Sequence, residues 1–222
     1  VVNTGMATNG KGGDMILSIG SGTTYDGGDI IMKGGESTFV SGGTGGSISM
    51  STGYGSTTSS GALIVSTKDS GTKGVSGKLS FTSGTTSSGA SGSIEMYTGD
   101  ATNGEGGDVL ISMGKSSSHF GGDLRMIMGD SKPLTGGSLS LQTGEGTYTT
   151  SGAIVLSSVN SGTKGVSGKL SFTSGTTSSG TSGKFVVNTG MATNGKGGDM
   201  ILSIGSGTTY TGGDIIMKGG ES

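Results

Sequence analysis

The chain has 222 residues and a formal net charge of −2; Gly supplies 52 of them, Cys and Trp none, Pro one, and charged residues 13%. Without cysteine there are no disulfide staples and no thiolate metal sites, and without a basic block there is no nucleic-acid footprint. No apolar run approaches the roughly 18 residues that a membrane helix needs, so neither nucleic acid nor membrane insertion is expected.

The glycines lack the every-third-residue period of collagen. The apolar residues recur at fixed places, which argues against a disordered linker. From the N-terminal end, the block VVNTGMATNGKGGDMILSIGSGTTY, followed after Asp26 by GGDIIMKGGES, occupies residues 1–37 and returns at 186–222 with Thr211 replacing Asp26. The large repeat is therefore 1–185 and restarts at 186. Because the chain starts and stops inside this block, the expectation is a single continuous segment, 1–222, of a longer tandem array.

A shorter period runs inside the long one. Anchoring glycines follow one another from Gly13 and Gly28 through Gly46, Gly61, Gly77, Gly92, Gly107, Gly122, Gly137, Gly152, Gly168, Gly183 and Gly198 to Gly213, mostly 15 residues apart. The second residue after each anchor is apolar (Met15, Ile30, Ile48, Leu63 and onward to Ile215), and so is the fourth (Leu17, Met32, Met50, Val65 and onward to Met217). Apolar residues two apart indicate a strand with one buried face. A Gly usually stands at position 7, as in Gly20, Gly53, Gly84, Gly99, Gly114, Gly129 and Gly144. A left-handed backbone there would turn the chain. The small residues that follow suit a second, shorter strand.

These features predict an all-β, elongated β-solenoid. Its coils have about 15 residues, two short strands each, and stack in parallel. One coil offers about two large side chains at roughly 1.5–3 kcal/mol each, against roughly 1–2 kcal/mol of ordering entropy per residue, so a lone coil cannot fold. The segment 70–89 recurs unchanged at 161–180, which divides the large repeat into six-coil halves. Twelve coils at roughly 4.8 Å would rise about 58 Å. The spacing of 18 between Gly28 and Gly46 predicts a bulge or side loop in that coil.

Two clusters are candidate sites. Asp recurs at position 1 in neighbouring coils: Asp14 with Asp29, Asp108 with Asp123, and Asp199 with Asp214. Stacked carboxylates repel unless a cation, most plausibly calcium, sits between them; the plainer reading is a solvated, screened corner. No other cofactor is implied. Position 3 should face outward, yet it holds Ile16, Ile31, Val186, Ile201 and Ile216, an apolar strip suited to lateral contact between copies. Its plainer reading is scattered β-branched residues that favour strands.

Other motifs carry less. NGKGGDMI at 9–16 and 194–201, and NGEGGDVL at 103–110, partly resemble the calcium-binding nonapeptide of RTX proteins. An Asn replaces the first Gly, and the motif would bury Ile16 where the coil pattern buries Met15 and Leu17. Gly114-Lys115-Ser116 is similar to the end of a P-loop, but Val109 stands where the first Gly is required. A single histidine, His119, supports no nucleophilic triad.

The coils GGSLSLQTGEGTYTT at 136–150 and SGKLSFTSGTTSSGASGSIEMYTG at 76–99 resemble large Gly/Ser/Thr-rich tandem-repeat extracellular proteins of diatoms and related algae. The resemblance spans nearly the whole chain. It implies an extracellular or cell-surface location and a role in fibres, adhesive material or wall components, and it transfers no catalytic residues. The expected function is a non-enzymatic structural shaft that self-associates into fibres or bundles. The alternatives are an ice-binding β-solenoid, which would want a regular outward ladder of Thr, and a calcium-dependent adhesin stalk.

Overall fold

Hydroxyl side chains close several bends of this chain. In the computed structural model, which describes residues 2–132 and 134–220, Thr86 Oγ1 donates to the Ser88 carbonyl at 2.9 Å and accepts from the Ser88 amide at 3.3 Å. Thr177 and Ser179, in the second copy of the same segment, form the same pair at the same distances. Ser116 Oγ likewise accepts from the amides of Ser118 and His119. Ser and Thr favour such local bonds over regular structure. A bend starts five residues before the next anchor in every repeat except the one before Gly46, which has a turn at 40–41: 8–10 before Gly13, 102–104 before Gly107, 147–149 before Gly152.

After the bend, the chain returns on itself at a glycine pair. At several anchors, though among the described residues not at Gly92, Gly107, Gly183 or Gly198, the amide donates to the carbonyl of position 7 in the preceding repeat: Gly28 to Gly20 at 3.3 Å, Gly61 to Gly53 at 3.1 Å, Gly122 to Gly114 at 3.1 Å, Gly137 to Gly129 at 2.9 Å, Gly152 to Gly144 at 3.1 Å. In the repeat with 18-residue spacing, the corresponding bond, Gly46 to Gly35 at 2.7 Å, spans a longer loop. That loop contains a tight turn closed by the Gly42 amide on the Phe39 carbonyl at 3.3 Å, with Gly42 at φ +124°.

Side chains follow the same register. A Cβ placed on Gly107 would lie 3.2 Å from Thr98 Cβ, on Gly122 3.3 Å from Met113 Cβ, and on Gly152 3.2 Å from Thr143 Cβ. Position 6 of one repeat therefore lies against the anchor of the next, which is why the anchor carries no side chain. Further from the bend, the rings of Phe172 (position 4) and Phe185 (position 2 of the next repeat) stack with centroids 6.3 Å apart and planes at 28°. Positions 7, 6 and 4 thus meet the next repeat's anchor and position 2 in antiparallel order.

The predicted all-β solenoid does not form. Among the described residues there is no helix and no strand, and residue pairs near in space are overwhelmingly near in sequence. A solenoid requires each residue to lie parallel to its equivalent one coil onward. Here each repeat folds back on its neighbour and is held by one backbone bond at most, so no ladder of the kind that defines a strand arises. A local pin closes a short loop at little entropic cost, whereas a ladder must order every Gly-rich segment.

The buried column of position-2 and position-4 side chains is likewise absent. No described residue is buried, and the accessible surface is 22721 Å², where a compact protein of this mass exposes about 9,000 Å² and a fully unfolded one about 31,000 Å². The two-residue alternation survives only weakly: Val109 is 56% exposed, Leu110 88% and Ile111 55%. The most covered large apolar side chain, Met128 at 36%, stands at position 6, opposite the Gly137 anchor.

The expected left-handed glycine at position 7 also moves. Positive φ occurs instead at Gly42, Gly74, Gly89, Gly165 and Gly180, four of which end a bend. No position-7 glycine takes a positive φ, whether or not its carbonyl accepts from the next anchor. The contacts divide the chain into two units, Val1–Ser112 and Met113–Ser222, and pinned loops occur in both.

Candidate interaction surface

The apolar triplets are the one feature that recurs in chemically distinctive form. Positions 2 to 4 read Leu63-Ile64-Val65, Val109-Leu110-Ile111, Ile154-Val155-Leu156 and Met200-Ile201-Leu202, and all are exposed. None of these residues takes part in a backbone hydrogen bond among the described residues. Each triplet therefore presents apolar side chains together with unpaired amides and carbonyls. Such a segment can bury side chains and pair its backbone at once against another chain. Two recesses lie between apolar positions 2 and 4 of neighbouring repeats, one lined by Phe172, Phe185 and Lys184, the other by Phe81, Ile94, Glu95 and Met96.

Every member of the expected lateral strip lies on this surface. Ile16, Ile31, Val186, Ile201 and Ile216 are all exposed. Within their own repeats, Ile16 and Ile201 project more than their position-2 and position-4 neighbours. Ile16, Ile31 and Ile216 follow the bonded anchors Gly13, Gly28 and Gly213, whereas Val186 and Ile201 follow Gly183 and Gly198, which lack that bond among the described residues.

The aspartates are placed differently from one another. Asp14 Oδ2 pairs with Lys11 Nζ at 2.7 Å, and Asp199 Oδ2 with Lys196 Nζ at 2.6 Å, all four side chains being largely exposed. Glu105 replaces the lysine in the middle copy, three residues before Asp108. Asp29, Asp123 and Asp214 form no ion pair among the described residues. The described residues contain no group of three or more His, Asp or Glu side chains able to hold a metal. The parallel stacking that was to bring Asp14 to Asp29, Asp108 to Asp123 and Asp199 to Asp214 is missing.

His119 Nδ1 lies 3.0 Å from Ser118 Oγ, and the bond belongs to the bend at 117–119. Among the described residues no helix is long and apolar enough to cross a membrane.

The sequence reading missed the role of position 6. Thr, Ser, Ile or Met recurs there (Ile19, Thr98, Met113, Thr143, Ile204), six residues after an anchor and nine before the next. That recurrence was visible, but its meaning depends on the chain folding back at the bend. No family model, curated protein or solved structure matches the chain.

Proposed function

We propose that this chain is a non-enzymatic structural protein that self-associates into fibrous or bundled material outside the cell or on its surface. The observation that supports it is the periodic exposure of apolar triplets on unpaired backbone. An exposed apolar surface of this extent marks an interaction site. Identical units supply identical triplets, so copies of the chain are self-complementary. The Gly/Ser/Thr-rich coils at 76–99 and 136–150, similar to those of extracellular algal repeat proteins, support the location.

The test is a concentration series of the 222-residue chain by sedimentation velocity and electron microscopy, beside the double variant Ile16→Lys, Ile201→Lys. The two positions are equivalent across the large repeat, and burying a side chain of this size is worth roughly 1.5–3 kcal/mol. The expected result is concentration-dependent assembly of the wild type and its dispersal in the variant. A wild type that stays monomeric, or a variant that assembles equally well, refutes the proposal.

A further inference from the structure

Three bends carry Asn followed directly by Gly: Asn9-Gly10, Asn103-Gly104 and Asn194-Gly195. In each the pair closes the bend, at 8–10, 102–104 and 193–195, and both residues are exposed. The amides of Gly10, Gly104 and Gly195 make no backbone hydrogen bond among the described residues. Around Gly10 and Gly104 even an added Cβ would meet nothing within 4 Å. A backbone nitrogen can therefore swing toward the preceding side-chain amide without a neighbouring side chain, or a bond that must first break, in its way.

We propose that Asn9, Asn103 and Asn194 are sites of self-modification, where the chain converts its own asparagine to aspartate and isoaspartate. The glycine nitrogen, its proton lost to solvent base, bonds to the asparagine Cγ. The bond from Cγ to the side-chain nitrogen breaks, and that nitrogen leaves as ammonia with a proton from water. Water then adds across either carbon–nitrogen bond of the resulting cyclic imide, regenerating an amide and releasing a carboxylate. The net change takes up one water and releases one ammonia, with no oxidation or reduction. Glycine is decisive because a Cβ on the attacking residue would crowd ring closure.

The reaction alters the bend in two ways. Each site gains one negative charge, which carries the formal net charge from −2 to −5 when all three have reacted. At Asn9 and Asn194 the new carboxylate arises two residues before Lys11 and Lys196, whose present partners are Asp14 and Asp199. At Asn103 it arises beside Glu105. The isoaspartate form also adds a backbone atom to the bend. A repeat protein with these bends thus ages along its length at recurring sites, here 94 and 91 residues apart.

The chain carries its own reference: Asn3, Asn160 and Asn188 precede Thr4, Ser161 and Thr189, which bear a Cβ. The 222-residue chain is held in mildly alkaline buffer and sampled over days. Peptide mass mapping and enzymatic methylation of isoaspartate then follow all six asparagines. Conversion is expected at Asn9, Asn103 and Asn194 while the three references keep their amides. Gly10→Ala should slow Asn9 by about tenfold and leave Asn194 in the same molecule unchanged. Equal rates at all six sites, or an Asn9 rate indifferent to Gly10→Ala, overturns the proposal. The readout is chemical and does not depend on assembly.

Discussion

Substitution of Gly146 by Ala tests whether the loops are pinned as described. A Cβ on Gly146 would lie 2.8 Å from the Thr150 carbonyl carbon and 3.0 Å from the Thr149 oxygen. Both are backbone atoms, which cannot rotate away, so the loop must open. Its closure rests on the single bond from the Gly152 amide to the Gly144 carbonyl at 3.1 Å. One such bond contributes about 1 kcal/mol net, so losing it shifts the closed-to-open ratio by about fivefold. Gly144→Ala, in the same pin, is the opposing control. Nothing lies within 4 Å of its Cβ, and restricting the open chain there favours order by about 0.4–1 kcal/mol. The assay is the exchange rate of the Gly152 amide by NMR, with the Gly61 amide, bonded to Gly53, as an untouched reference. Faster exchange at Gly152 alone is expected in Gly146→Ala. If Gly152 exchanges as in the wild type, the pin does not depend on that close approach and the loop geometry is wrong.

Two further outcomes concern local bonds. Lys11→Ala removes an ion pair whose side chains are 79% and 62% exposed, so thermal and denaturant profiles should move by less than about 0.5 kcal/mol at any salt concentration; a larger loss means the pair is shielded from water. Thr86→Val removes both bonds to Ser88 while Thr177 and Ser179 keep theirs, so backbone chemical shifts should change at 86–89 and stay fixed at 177–180. Equal changes in the two copies would mean the bends are not independent.

Period and the small-residue character of the loops were legible in the sequence, because each is decided within a few residues, whereas the turn expected at position 7 falls three to five residues later, at positions 10–12. Ser and Thr close bends with their own hydroxyls, and a Gly recurs wherever a side chain would strike its neighbour. Although positions 2 and 4 are exposed as well, the apolar character of Ile16, Ile31, Val186, Ile201 and Ile216 was legible. What lies opposite each segment was not. An apolar pair returning every 15 residues fits a parallel stack and an antiparallel fold-back equally well. Only the placement of Gly144 against Gly152 and of Phe172 against Phe185 distinguishes them. Local residues determine where this chain bends, whereas burial depends on segments far apart finding one another, and with so few large side chains and so many glycines the nearby return forms at far lower entropic cost.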